Sequence, residues 1–208
     1  MSNKIKDLGE SIMKNYKEVG FKDFTETEER AIDYIPKNCE HLVIEVPTQY
    51  RLIYLIAFIM GQPSPFKVIV FVSNCETVNF FHDVFGKLAW PEGFKSRPVF
   101  KLHGDMDLAD RKTNFSQFDK VNSGALVCTD VAARGLDFKS VNWVVNYDLP
   151  DFGKDYANRV GRTARIANEG AALSFLNPGL ELKYKDFLKK EGIFAKELSR
   201  FNIMSEFE

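Results

Sequence analysis

Val68-Ile69-Val70-Phe71-Val72-Ser73-Asn74-Cys75-Glu76-Thr77-Val78 decides the fold. The apolar run Val68–Val72, rich in β-branched side chains, reads as a strand covered on both faces, because a strand with one wet face would alternate. Ser73 and Glu76 then form a capping box for the amphipathic helical pattern at Thr77–Leu88.

The same unit recurs on either side. Strands are read at Leu42–Val46, Val99–Leu102, Ala125–Cys128, Trp143–Asn146 and Ala171–Phe175. Helical patterns lie at Tyr50–Met60, Ala109–Phe118, Lys154–Thr163 and Leu180–Lys190. The alternation predicts an α/β domain, a parallel sheet flanked by helices on both faces. Residues 1–45 differ, with acidic clusters such as Glu26-Thr27-Glu28-Glu29 and little β-branched content. Leu8–Met13 reads as a helical turn or two, and the chain up to Cys39 as a linker or appendage.

Composition bounds the classes. The 208 residues are 45% hydrophobic and 27% charged with a formal net charge of −1, which suits one soluble globular domain without a basic surface. The longest apolar run, Leu52–Met60, is about half of the ~20 residues a membrane span needs. No apolar stretch follows the charges at Met1–Lys6, so no secretory signal is read there. Cys39, Cys75 and Cys128 form neither a disulfide ladder nor a Cys-x-x-Cys pattern, and read as reduced thiols of an intracellular protein.

Ligands of open parallel sheets bind outside the carboxyl ends of the strands, so the segments after each strand carry the candidate chemistry. They are Ser73-Asn74-Cys75-Glu76, His103-Gly104-Asp105, Thr129 to Asp137, and Tyr147-Asp148-Leu149-Pro150. Each is a helix cap on the simplest reading, with Thr129 or Asp130 capping a short helix ended by Gly135. Helix starts also offer unpaired N–H groups, and several along one sheet edge would make a track for a polyanionic backbone. In Arg134-Gly135-Leu136-Asp137, Asp137 can accept from ribose hydroxyls and Gly135 lets a backbone approach closely; alternatively, Arg134 pairs with an aspartate and only fixes the loop.

Asn158-Arg159-Val160-Gly161-Arg162-Thr163-Ala164-Arg165 places three arginines along one side of the predicted helix. Asp155 and Glu169 stand four residues from Arg159 and Arg165 and can pair with them, whereas Arg162 has no carboxylate three or four residues away. A fork without local partners suits a phosphoryl group, the role of an arginine finger. Gly161 is an oddity there, costing roughly 1 kcal/mol inside a helix. His41 and His82 read as packing or surface residues and His103 as a loop residue; no metal site is read from the histidine spacing.

Five segments together resemble the C-terminal RecA-like domain of the DEAD-box RNA helicases. Val68–Ser73 resembles motif IV, His103 to Arg111 the segment after it, Thr129–Asp137 motif V, Asn146–Pro150 the next block, and Tyr156–Arg165 motif VI. The match runs from about Glu40 to Gly192. Phe71–Val78 and Thr163–Arg165 look most like the nucleolar ribosome-assembly members, which implies a nuclear or nucleolar protein.

The resemblance implies a RecA-like fold and specific roles. Ser73, Asn74, Gly104, Arg111, Thr129, Asp130 and Gly135 would line the RNA backbone. Asp137 would hold the ATP ribose, and Arg162 and Arg165 would reach the γ-phosphate, which makes Glu169 a poorer partner for Arg165. Asn158 and Arg159 would face an N-terminal RecA-like domain of the same protein. Two positions depart from the pattern: Leu108 stands where the family usually has glutamine, and Asn158 where it usually has histidine. Asn158 can still hydrogen-bond but cannot carry charge.

No Gly-x-x-x-x-Gly-Lys-Ser/Thr loop and no Asp-Glu-Ala-Asp occurs. The expectation is therefore a monomeric helicase half, residues 41–208, preceded by the end of the N-terminal domain and a linker over residues 1–40. ATP would be the cofactor, with Mg2+ held by the N-terminal domain, and the chain alone would be inactive. The alternative is a stand-alone non-catalytic module that binds RNA or a protein.

Overall fold

The computed structural model describes residues 31–88, 97–165, 169–179, 181 and 183–199. The helical reading at Leu8–Met13 lies outside the described residues. After a 3-10 turn at Ala31–Tyr34, the elements are β1 (Cys39–Glu45), α1 (Thr48–Gly61), β2 (Lys67–Phe71), α2 (Cys75–Lys87), β3 (Val99–Leu102), α3 (Leu108–Lys120) and β4 (Gly124–Cys128). They continue with α4 (Asp130–Ala133), β5 (Trp143–Asn146), α5 (Gly153–Val160), β6 (Gly170–Leu176), α6 (Lys183–Lys190) and β7 (Lys196–Glu197). The seven strands form one sheet in the order β3-β4-β2-β5-β6-β1-β7, every pair parallel.

All five residues of β2 are buried, as the unbroken apolar run requires. Val68, Val70 and Val72 pack on one face against Leu55, Phe58 and Phe81 of α1 and α2. Ile69 and Phe71 pack on the other against Phe118 of α3 and Ala133 of α4, while Tyr156, Val160, Tyr184 and Leu188 of α5 and α6 cover Val43 and Ala172. Helices thus cover both faces, as the alternation predicts.

Four local readings are corrected. Asn74, not Ser73, caps α2: its Oδ1 accepts from the Thr77 N–H at 2.7 Å. Neither Thr129 nor Asp130 makes a side-chain cap on α4, although Gly135 (φ +74°) does supply the left-handed residue that follows it. Packing begins before Cys39, since Ile35 is buried beside Tyr156 and Tyr184. Helix α5 stops at Val160, so Arg162 and Arg165 are not on it.

Gly161 is the end of α5 rather than an interior glycine: its N–H closes on Ala157, whose carbonyl oxygen would lie 3.0 Å from an added Cβ. The chain then turns inward. Thr163 Oγ1 donates toward Val141 O at 2.7 Å and Asn142 O at 3.0 Å, and Ala164 takes the left-handed conformation at φ +54°. Gly170 packs over this turn. A Cβ there would lie 2.3 Å from Thr163 Oγ1 and 2.6 Å from Ala164 N. Gly170→Ala is therefore expected to destabilise the chain by about 1–3 kcal/mol, the range for forced overpacking, as a lower midpoint in urea unfolding; an unchanged midpoint would mean that the turn yields without cost.

Candidate functional site

The carboxyl ends of β2, β4 and β5 converge on one buried guanidinium. Arg159, only 3% exposed, reaches from α5 and donates through Nε and Nη2 to the two carboxylate oxygens of Asp130, each at 2.7 Å. Its Nη1 donates to Asp148 O at 2.6 Å and Asn146 Oδ1 at 3.2 Å, and the group lies 5.1 Å over the Phe71 ring. Burial opposes its charge, but the Asp130 hydrogen bonds and charge outweigh burial and raise its pKa. The network widens through Asp148 Oδ2, which accepts from the Ser73 N–H at 2.8 Å, and Asn146 Nδ2, which donates to Ser174 Oγ at 3.1 Å.

This arrangement differs from the local pairing open in the sequence. Asp155 pairs with Arg134 at 3.3 Å on the surface, the loop-fixing alternative for Arg134, and Arg159 takes Asp130 instead. Asn146 enters the sequence reading only as the start of the Asn146–Pro150 block, and Ser174, inside β6, carries no signal until the sheet sets it beside Asn146.

The loop before β5 and the loop after α5 face one another. Arg165 donates through Nε to Gly161 O at 2.7 Å and forms an ion pair with exposed Asp137. Among the described residues its carboxylate partner is Asp137 and not the local candidate Glu169. Arg162, half-buried, donates to Leu136 O at 2.5 Å and Asn158 O at 3.1 Å. No carboxylate pairs with it among the described residues. Burial first, then the neighbouring Arg165, lowers its pKa. An anion entering here would meet a fork held only by carbonyl oxygens, which suits a phosphoryl group.

The other sequence-selected residues lie along the adjoining strand ends. Ser73, Asn74, Gly104 and Gly135 are exposed, and an added Cβ at Gly104 or Gly135 would meet nothing within 4 Å. Arg111 is half-buried on α3, Leu108 is 65% exposed at its start, and Asn158 is exposed on α5. Thr129 is buried, and the Asp130 carboxylate is engaged by Arg159. Of Ser73, Asn74, Gly104, Arg111, Thr129, Asp130 and Gly135, only Arg111 carries a positive charge.

Residues 50–167 match the family model described as "Helicase conserved C-terminal domain". The chain belongs to this helicase family. DEAD-box ATP-dependent RNA helicase 17 of Oryza sativa subsp. japonica is 38% identical over 196 residues, 87% of this chain and 33% of that protein. ATP-dependent RNA helicase HAS1 of Mycosarcoma maydis is 41% identical over 139 residues, 67% of this chain and 23% of that protein. Among solved structures, Mss116p DEAD-box helicase domain 2 bound to an RNA duplex matches at TM-score 0.61 and 26% identity, covering 81% of this chain and 67% of that one. The resemblance to the DEAD-box C-terminal domain, and its RecA-like fold, thus hold. The helicase chain spans a third or less of these two curated relatives. No helix among the described residues is long and apolar enough to cross a membrane.

Proposed function

We propose that this helicase domain supplies one wall of an ATP site and one side of an RNA track, working against a phosphate-loop domain of the same protein. The observation that carries the reading is Arg162, half-buried and held by two carbonyls with no carboxylate partner among the described residues. Arg162 and Arg165 would bind the γ-phosphate, and Asp137 the ribose hydroxyls. Asp137 and Arg165 are paired here, so nucleotide entry would exchange that ion pair for contacts of the same kind on ribose and phosphate. Magnesium would be held by the other domain. Bound ATP supplies the phosphoryl group; these residues orient it and stabilise its charge.

RNA would run past Ser73, Asn74, Gly104, Arg111, Thr129, Asp130 and Gly135. Because Thr129 is buried and the Asp130 carboxylate is engaged, those two would offer backbone rather than side chain. Contacts to the sugar-phosphate backbone position without reading sequence. Asn158 and Arg159 would serve the interdomain face, Arg159 by fixing the strand ends behind it. The likeness of Phe71–Val78 and Thr163–Arg165 to ribosome-assembly members supports a role in ribosome biogenesis and a nucleolar site, and the domain would act as a monomer.

Two measurements test this. The 208-residue chain alone is expected to hydrolyse no ATP with or without RNA, since its sequence has no phosphate loop; RNA-stimulated turnover would overturn the assignment of half a site. Its binding to labelled single-stranded RNA should be weak and barely salt-dependent. With Arg111 as the main cation the slope of log K against log salt should be about −0.7, from the single-strand value per neutralised phosphate. A slope steeper than about −2 would mean a basic surface carries binding.

A further inference from the structure

We infer that Cys75, His103 and Asp105 form a binding site for one divalent cation of the zinc class. Cys75 opens α2, while His103 and Asp105 follow β3, and one ligand atom from each lies within 4.8 Å of the others. Cys75 and His103 stand 28 positions apart, which is why the spacing of the histidines carries no such signal.

The state of His103 is the second, independent observation. The residue is 5% exposed, and its Nδ1 is buried with no hydrogen-bond partner. Its Nε2 lies 3.2 Å from Asn79 Oδ1, which also accepts from the Lys101 ammonium at 2.7 Å. An oxygen that accepts from lysine calls for a donor from histidine, so the proton sits on Nε2 and Nδ1 keeps its lone pair. A ring nitrogen oriented by a hydrogen bond at the opposite nitrogen is how metal-binding histidines are held.

The donor set selects the ion. Thiolate, imidazole and carboxylate together suit zinc, whereas magnesium and calcium take oxygen ligands. Bond lengths of about 2.0–2.3 Å put tetrahedral ligands ~3.5 Å apart, a closure within reach of side-chain rotation at exposed Asp105. The Cys75 proton leaves to solvent on binding, and thiolate plus carboxylate then neutralise the cation. Lys101 faces the site with the opposite effect, and Glu76 offsets it. The fourth position is left to water.

Titration of the full chain with Co2+ in reducing buffer reads the site directly. The expected result is one cobalt per chain with a thiolate-to-cobalt charge-transfer band, displaced by one equivalent of Zn2+. Cys75→Ser should abolish the band and weaken Zn2+ binding more than about 100-fold, beyond what loss of an outer hydrogen bond costs. Asp105→Asn, at an exposed side chain, should weaken it at least about 10-fold; Cys39→Ser should change nothing. Absence of the band in the parent chain at micromolar cobalt, a band that survives Cys75→Ser, or parental affinity in Asp105→Asn would each overturn the site.

Discussion

Arg159→Ala is expected to cost about 3–5 kcal/mol of stability, the range for removing one partner of a buried ion pair. The guanidinium is enclosed and makes four hydrogen bonds to three residues, Asp130 after β4 and Asn146 and Asp148 at the end of β5. Removing it leaves Asp130 without its counter-charge, Asp148 O without its 2.6 Å donor, and Phe71 facing a void. Because the Asp130 side chain is 30% accessible, water can relieve part of that loss and the lower end of the range is expected. Arg159→Lys should recover little, since an ammonium cannot make the two-toothed contact. Urea unfolding checks this: a midpoint shift with unchanged slope is expected, and a loss below about 1 kcal/mol would show that the strand ends hold themselves. In Asp130→Asn, Arg159→Met, with both charges gone, stability should partly return.

What could be read from residues alone follows the range of the forces involved. Fully buried parallel strands leave an unbroken apolar run, so β2 and β4 were legible to within one position, and the shorter runs of β3, interrupted by Lys101, and β5, ended by Asn146, to the residue. Strand β7 was not, because two exposed residues, Lys196 and Glu197, carry no periodicity and are recruited only by pairing with Leu42 and Val43. The end of α5 was misread for a related reason. Arginine spacing extends a helical pattern through Arg165, but Thr163 finds buried acceptors on the loop before β5, and that tertiary contact outweighs propensity. The site divides likewise. The lack of a local carboxylate for Arg162 was visible as spacing, whereas the pairing of Arg159 with Asp130 and of Arg165 with Asp137, 29 and 28 residues apart, needs the sheet to bring the loops together. Local charge arithmetic offered Asp155 as a partner for Arg159, and the fold pairs it with Arg134.

Arg162→Ala, placed in a protein that joins this domain to a phosphate-loop domain, is expected to lower RNA-stimulated ATP turnover by about 10³-fold or more, the range for losing an arginine finger. That corresponds to at least ~4 kcal/mol of transition-state stabilisation. The folded chain should hardly notice: Arg162 is half-buried and its acceptors, Leu136 O and Asn158 O, keep access to water, so a stability loss of about 1–2 kcal/mol at most is expected. This contrast separates it from Arg159, only three residues earlier, whose replacement acts through the fold. Arg162→Lys should also fail, because a point charge does not reproduce a planar fork whose orientation the two carbonyls set. Binding of ATP should change far less than turnover, since most of the finger's interaction develops with the transferring group. Steady-state turnover measured beside nucleotide affinity and urea unfolding decides it. Unchanged turnover would remove the finger role, and a stability loss matching that of Arg159→Ala would make Arg162 a structural strut.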